Sequence, residues 1–189
     1  MPAQRDTIKI FEGLPDELKT EIIKLLEPVH LDKDDIFIRK GAMSDKVGFV
    51  VSGIMYAYYV KDGEEKTIHI SSTYNSVAAY DCLLLNEPSK LAYKALTDAE
   101  LMVTSFSALQ ELYKTSPLAD RLSKEFMRLQ LADAYKRTAS FIIYTPFERY
   151  LQLQQENPEI IHRVPQKILA SYLGITPVSL SRIRKRANS

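Results

Sequence analysis

The sequence has 189 residues, enough for one large domain or two small ones, and its 46% hydrophobic and 26% charged residues are an ordinary globular composition. A single cysteine excludes an internal disulfide framework, and no apolar run approaches the roughly 18 residues of a membrane helix. The net charge is +1, and the first residues lack the apolar stretch of a secretory signal, so we expect a cytoplasmic protein without membrane contacts.

The first predicted element is a short helix over residues 14–26, where apolar residues recur at helical spacing. Short runs rich in β-branched and aromatic residues then predict strands, separated by turn residues, at 37–38, 47–51, 54–60, 67–70 and 101–104. Such strands predict an antiparallel roll over about residues 30–107. Residues 76–85 interrupt the pattern as a short helix or irregular insertion, which is either a ligand site or an ordinary connection.

Three residues of this region invite a catalytic or redox interpretation. An enzyme using Asp81 or His69 as acid or base is the weakest hypothesis, because no paired carboxylate or nucleophile–base spacing supports it. We expect Asp81 to cap a helix or lie in solvent, and His69, between Ile68 and Ile70, to point outward from a strand. Cys82 precedes three leucines and is expected to be a small buried residue rather than a redox sensor. We expect no enzymatic activity, no metal and no cofactor.

From residue 107 the pattern is helical. Ser116 and Pro117 open a long helix that reaches about Ser140 without an internal Gly or Pro. Apolar residues spaced four and three apart form a short coiled-coil seam consisting of Leu122, Phe126 and Leu129. Such a helix is about 35 Å long, more than a small domain needs, so we expect it to dimerise, with packing on its own roll as the alternative. A further helix is predicted over residues 147–156.

Residues 166–185, QKILASYLGITPVSLSRIRK, predict two helices joined by a tight turn. Gly174 suits the turn, where a positive φ costs glycine little. Thr176 is a good N-cap and Pro177 a good first residue for the second helix, and Ile175 plugs the interior. The spacing of small and apolar residues matches a helix-turn-helix motif, whose inner face consists of Leu169, Ala170, Leu173, Leu180, Ile183 and Ala187.

This motif coincides with a basic, acid-free stretch. Residues 163–189 hold six of the 25 Lys and Arg and none of the 24 Asp and Glu, a balance that favours phosphate binding over a merely solvated tail. Arg182 is the best candidate for bidentate contact with guanine, and Val178 for contact with a thymine methyl. The predicted DNA-binding residues are Gln166, Lys167, Thr176, Val178, Ser179, Ser181, Arg182, Lys185 and Arg186.

Three segments carry a family resemblance: KGAMSDKVGFVVSGIMYAYYVKDGEEKTIHI, TSFSALQELYKTSP and RVPQKILASYLGITPVSLSRIRKR. Over about residues 8–186 the chain resembles the catabolite activator (Crp/Fnr) family of bacterial transcription regulators. The resemblance implies an α+β fold with an N-terminal antiparallel β-roll sensor domain of the cyclic-nucleotide-binding type (1–115), a dimerisation helix (116–140) and a C-terminal all-α helix-turn-helix domain (141–189). It also implies a homodimer that binds a palindromic site in double-stranded DNA, with RNA polymerase as a candidate partner.

The effector site departs from the family pattern. Cyclic-nucleotide binders of the family carry a Gly-Glu pair for the ribose and an Arg-Ser or Arg-Thr pair for the phosphate. The corresponding residues 77–81 and 88–90 lack both pairs, and residues 40–120 contain no arginine. Lys90 offers a point charge rather than a bidentate fork, so we expect weak or no cyclic AMP binding. The resemblance places a pocket for an unknown small-molecule effector at Ala78, Ala79, Tyr80, Asp81, Ser89, Lys90 and Tyr135.

Two function classes follow from the sequence. The leading hypothesis is a DNA-binding regulator, in which an effector at the roll biases the geometry of two recognition helices about 34 Å apart. The alternative is a small-molecule-binding module whose helical C-terminus mediates protein contacts. The alternative predicts tight ligand binding without a salt-sensitive affinity for DNA.

Overall fold

A computed structural model describes residues 13–187, so the ends of the predicted roll and helix-turn-helix domains, residues 1–12 and 188–189, lie outside the described residues. The strands are β1 (Glu27–Leu31), β2 (Ile36–Ile38), β3 (Lys46–Ser52), β4 (Met55–Lys61), β5 (Glu64–Ser71), β6 (Ser76–Ala78), β7 (Ala92–Ala95) and β8 (Ala99–Ser105). The helices are α1 (Asp16–Lys24), α2 (Tyr80–Leu85), α3 (Phe106–Thr115), α4 (Pro117–Ile143), α5 (Pro146–Glu156), α6 (Pro158–Arg163), α7 (Gln166–Leu173) and α8 (Pro177–Ala187).

The described residues divide into two compact units. The roll unit comprises residues 13–57 and 71–125, and the C-terminal unit comprises residues 58–70 and 126–187. The hairpin segment, residues 58–70, therefore belongs to the C-terminal unit, although β4 begins and β5 ends in the roll unit. The three-part division at residues 116 and 141 stays a prediction.

Two four-stranded sheets have the strand orders β1-β8-β3-β6 and β2-β7-β4-β5. In the first sheet β8 pairs antiparallel with both β1 and β3, so Val103 lies opposite Glu27 on one side and Gly48 on the other. The main core of the roll unit is apolar, and Val50, Ala79 and Ala95 in it are fully buried. Burial of this apolar surface supplies the main driving force for folding of the roll.

The strands predicted at 37–38, 47–51, 54–60, 67–70 and 101–104 are confirmed as β2, β3, β4, β5 and β8. Sequence reasoning missed β1 and β7. Residues 76–85 are a helix only in part, because the first three of them pair with β3 as strand β6 and helix α2 begins at Tyr80. The pairing partner of β6 is distant in sequence, so no local pattern indicated it.

The turn between β3 and β4 requires glycine. Gly53 has a φ of +90°, and a Cβ at this position would collide with the carbonyl oxygen of Asp98 and lie 2.7 Å from the Cα of Ala99. An L side chain would be both strained and obstructed there. The close approach therefore fixes how the β3–β4 turn packs on the start of β8.

Local sequence signals explain where helices of the C-terminal unit begin. The hydroxyl of Thr145 accepts a hydrogen bond from the amide of Glu148, whose carboxylate accepts one from the amide of Thr145 at 2.8 Å, so a capping box starts α5. These bonds lower the pKa of the Glu148 carboxyl. The predicted long helix is confirmed as α4, which starts at Pro117 and ends three residues beyond the expected Ser140. Helix α6, which was not predicted, begins directly after α5.

Candidate nucleic-acid interface

Helices α7 and α8 form the predicted helix-turn-helix. Gly174 ends α7 in the left-handed conformation, with a φ of 70°. The amide of Ile175 then donates to the carbonyl of Ala170 at 2.9 Å, which tightens the turn. The hydroxyl of Thr176 accepts a hydrogen bond from the amide of Ser179 at 3.1 Å, so Thr176 caps α8 as its sequence position predicts. The turn is therefore specified by a glycine, a cap and the proline that starts α8.

The inner face of the motif is closely packed. Leu169, Ala170 and Leu180 are fully buried, and Leu173 is nearly so. Ile183 and Ala187, the other members of the predicted inner face, are half-buried. This shared apolar face packs the two helices together, and a small residue such as Ala170 at a buried position allows a close approach.

The outer face of α8 is exposed and cationic. Val178 is 62% exposed, and Arg182 projects into solvent with no ion pair among residues 13–187. Of the predicted DNA-binding residues, only Ser179 is half-buried, and the others are exposed: Gln166, Lys167, Thr176, Val178, Ser181, Arg182, Lys185 and Arg186. The structure therefore brings the predicted residues onto one motif, while their contacts with DNA stay a prediction.

Three polar side chains of the motif also make contacts within the protein. The Gln166 side-chain amide donates to the carbonyl of Pro177 at 2.7 Å, linking the starts of the two helices. The Arg186 guanidinium lies over the Phe147 ring, 4.1 Å from its centroid. Arg184 donates to the carbonyl of Ile161 at 2.9 Å and so helps to hold α8 on α6. Arg184 is therefore a structural residue of the basic stretch.

Two arginines contact the end of α7. Arg137 Nη2 donates to the carbonyl of Tyr172 at 2.7 Å, and Arg149 Nη2 donates to the carbonyl of Leu173 at 3.1 Å. The Phe141 ring lies near both guanidinium groups, 5.0 Å from Arg137 and 4.7 Å from Arg149. Burial lowers the pKa of both arginines. Cations at the last carbonyls of a helix also complement its dipole.

Helix α4 carries more exposed apolar surface than sequence reasoning identified. In the predicted seam, Phe126 is 37% and Leu129 53% exposed, whereas Leu122 is half-buried. A second stripe, on the opposite side of the helix, includes residues exposed by as much as 84%, and consists of Met127, Leu131, Ala134, Tyr135, Thr138 and Ile142. The 4-3-4 spacing of Met127, Leu131, Ala134 and Thr138 was the available signal for this stripe.

Three of the predicted effector residues, Asp81, Ser89 and Lys90, make hydrogen bonds or ion pairs with neighbouring residues of the same loop. The Lys90 amide donates to the Asp81 carboxylate at 2.9 Å, and the Lys90 ammonium pairs with Glu87 at 2.8 Å. This pairing raises the pKa of Lys90. Ser89 is buried, and its hydroxyl donates to the carbonyl of Leu91 at 2.8 Å. Asp81 thus bonds within its own loop as well as lying at the start of α2.

The other predicted pocket residues differ in exposure. Ala78 and Ala79 are buried in the roll unit, and Tyr80 is half-buried. Tyr135, which belongs to the C-terminal unit, is 72% exposed. Burial, with the nearby charge of Asp81, raises the pKa of the Tyr93 hydroxyl. These residues do not by themselves identify a ligand.

Two single-residue expectations have different outcomes. Cys82 is buried among apolar residues, as expected. The prediction that His69 points outward is not borne out, since His69 is half-buried whereas its neighbour Ile68 is 46% exposed. Burial lowers the pKa of His69, against the opposing influence of the nearby Asp133. Burial does not alternate along this part of β5, because Ile68 is exposed whereas Ile70, two residues further on, is buried.

Comparison with known proteins supports this architecture. Residues 28–116 match the family described as the cyclic nucleotide-binding domain. Among curated protein sequences, none matches this chain. Of residues 13–187, no helix is both long and apolar enough to cross a membrane.

Solved structures share the fold over most of the chain. FixK2 from Bradyrhizobium japonicum is 18% identical with a TM-score of 0.74, and the match covers 86% of this chain and 84% of FixK2. CLP, a c-di-GMP responsive global regulator from Xanthomonas campestris, is 18% identical with a TM-score of 0.69, and 92% of each chain is covered. A CooA mutant from Carboxydothermus hydrogenoformans is 14% identical with a TM-score of 0.66, covering 87% of this chain and 77% of CooA.

Residues 28–116 are thus similar to the cyclic nucleotide-binding domain family. The chain as a whole has the fold of Crp/Fnr-type transcription regulators, with an antiparallel roll, the long helix α4 and a helical C-terminal region. The fold predicted from the sequence is confirmed.

Proposed function

We propose that this protein is a sequence-specific DNA-binding transcription regulator that acts as a homodimer. The observation that carries the proposal is the outer face of α8, which is exposed, basic and held by a buried inner face. A recognition helix needs Arg and short side chains toward base edges, and Lys or Arg toward phosphates. Arg182, Val178 and Ser181 supply the first set, and Lys185 and Lys167 the second.

The dimer forms through α4. Leu131 is 72% and Ile142 84% exposed, and such apolar surface on a long helix is stabilised when a second copy covers it. We assign the seam to Met127, Leu131, Ala134 and Thr138, on the side of α4 opposite the seam predicted from the sequence. A parallel pair of these helices places two copies of α8 on one side of a duplex, as a palindromic site requires.

The roll does not bind cyclic AMP with useful affinity. The chain has no arginine in residues 40–120 to form a bidentate contact with a cyclic phosphate. The ammonium of Lys90 is paired with Glu87, and the carboxylate of Asp81 accepts a hydrogen bond from the Lys90 amide. An anionic ligand would meet a carboxylate that is already bonded to the loop. The effector is therefore of another chemistry, or the regulator is constitutive.

Selection from a random double-stranded library tests the function. The full-length protein should enrich a palindromic sequence at near-physiological salt, and Arg182→Ala should lose that enrichment because bidentate base contacts carry specificity. Arg39→Ala, an exposed arginine of the roll unit, is the matched control for loss of one positive charge and should behave as wild type.

Two results would contradict the proposal. One is a wild-type protein that binds no duplex even at low salt, where phosphate contacts are strongest. The other is a small-molecule ligand bound tightly by a protein without salt-sensitive DNA affinity, which would favour the binding-module alternative.

A further inference from the structure

The guanidinium of Arg137 joins three elements of the C-terminal unit. Its side chain comes from α4, its Nε donates to the carbonyl of Ile68 on β5 at 3.2 Å, and its Nη2 donates to the carbonyl of Tyr172 on α7 at 2.7 Å. The guanidinium carbon also lies over the Tyr172 ring, 3.7 Å from its centroid. One planar cation therefore bonds simultaneously to the hairpin segment and to the helix-turn-helix.

A second contact lies one residue away on each partner. The buried Thr67 of β5 donates its backbone amide to the hydroxyl of Ser171 on α7 at 2.8 Å. Two neighbouring residues of the hairpin segment thus bond to the last turn of α7, one directly and one through Arg137. The hairpin segment and the motif are therefore held together by specific polar bonds.

The chain continues from this contact to both functional parts. Strand β4 begins in the roll unit and β5 ends there, while the hairpin segment between them belongs to the C-terminal unit. The last turn of α7 leads through Gly174 directly into α8. The guanidinium of Arg137 binds the carbonyls of Ile68 and Tyr172 at the same time. If Ile68 shifts, either Tyr172 on α7 shifts with it or one of the two hydrogen bonds breaks.

We propose that Arg137 is a positioning residue, which sets the orientation of α7 and α8 by bonding them to the hairpin segment. The inference rests on the proposed DNA-binding function, since it assigns to the hairpin segment the control of that motif's geometry. Lysine cannot replace arginine here, because a single ammonium at the end of a flexible stem lacks the rigid fork that spans two carbonyls. Arg137 is not one of the predicted DNA-binding or effector residues, and we expect it to act through its bond to α7.

Hydrogen exchange on the full chain without DNA tests the coupling. Arg137→Lys should speed amide exchange about tenfold in both the hairpin segment and residues 170–176, the scale expected for losing a charge-assisted hydrogen bond. Arg121→Lys, the same change at an exposed arginine of α4, should stay within about twofold of wild type at both places. Faster exchange at only one of the two places, or at neither, would overturn the proposal.

A second variant keeps the test decisive if Arg137→Lys fails to fold. Ser171→Ala removes one hydroxyl, leaves Arg137 intact, and should raise exchange at the hairpin and at residues 170–176 together, though less. In a double-mutant cycle the two substitutions should be non-additive, because they weaken one docking contact. Strict additivity, with exchange confined to the side of each change, would overturn the proposal.

DNA binding separates positioning from general destabilisation. On a selected palindrome, Arg137→Lys should lose about tenfold in affinity, while binding of an unrelated duplex at low salt should change less than about twofold. Equal losses on both duplexes would show a merely structural role. If wild type binds no duplex, the proposed function fails, but the exchange experiment still decides whether Arg137 couples the hairpin segment to α7.

Discussion

The two loops that bear on function, one between α7 and α8 and one between α2 and β7, use charge in opposite ways. On α8 a cation is presented to solvent: Arg182 is exposed and has no ion pair among the described residues. In the roll loop the charges are satisfied internally, since Asp81 accepts from the Lys90 amide and Glu87 pairs with the Lys90 ammonium. An uncompensated cation can bind an external phosphate, whereas a compensated one must first break its own contacts.

The largest effect is expected at the dimer seam. Leu131→Lys puts a charge on each helix where the two copies meet, and should weaken dimerisation by more than about a hundredfold, because a buried unpaired charge costs roughly 3–5 kcal/mol. Sedimentation equilibrium across protein concentrations measures this. Leu129→Lys, on the opposite side of α4, is the matched control. Loss of the dimer in Leu129→Lys alone would instead place the interface at the Leu122, Phe126 and Leu129 seam.

The next effect is expected at the helix-turn-helix turn. Gly174→Ala imposes a left-handed φ on alanine and places a Cβ about 2.7 Å from the Phe141 ring, and it should destabilise the C-terminal unit by about 2–3 kcal/mol. Gly63→Ala is matched in φ but meets nothing within 4 Å, so it should cost only about 1 kcal/mol. Chemical denaturation gives both values, and equal costs would show that the Phe141 contact contributes nothing.

The roll loop is expected to bind no cyclic nucleotide. Titration calorimetry with cyclic AMP should give a dissociation constant above about 1 mM for wild type. This corresponds to a binding free energy smaller in magnitude than about 4 kcal/mol. Asp81→Asn removes the loop carboxylate but supplies no arginine, so it should gain less than about tenfold. Micromolar binding by wild type would mean that the loop opens and that the contrast between the two loops is wrong.

The smallest effect concerns pH. Burial lowers the pKa of His69 in the folded protein below its ordinary value of 6.5. Just below pH 6.5 this histidine is therefore protonated in the unfolded chain but still neutral in the folded protein. Stability from this residue is full above that pH and is lost as pH falls toward the folded pKa, with a slope of at most about 1.4 kcal/mol per pH unit. His69→Gln should therefore flatten the acid side of the stability curve in denaturation experiments between pH 7.5 and 5.

His30 serves as the control because its shift has the opposite sign. Hydrogen bonds to Glu100 and Asp32 raise the pKa of this exposed histidine. Its contribution to stability is present below the unfolded pKa and is lost as pH rises through the folded pKa. His30→Gln should therefore leave the acid side no flatter than in wild type. An unchanged acid slope in His69→Gln would show that His69 is solvated.

The turn between α7 and α8 could be predicted from the sequence, whereas β1 and the contacts of Arg137 could not, and the difference has a physical reason. Gly174, Thr176 and Pro177 are local signals, so the turn and the start of α8 could be predicted from adjacent residues. Strand β1 could not, because its partner β8 lies at the other end of the roll in sequence. The Arg137 contacts to β5 and α7 were missed for the same reason, since no spacing relates residues from three separate elements.

The most direct test of the account is the affinity of wild type and Arg182→Ala for a selected palindrome and a scrambled duplex across a salt series. We expect the substitution to cost about 1–3 kcal/mol per contacted guanine on the palindrome and to leave the scrambled duplex nearly unaffected, with both affinities falling as salt rises. An equal loss on both duplexes would reduce Arg182 to a phosphate contact. Binding to neither duplex at any salt concentration would contradict the assignment of α8 as a recognition helix.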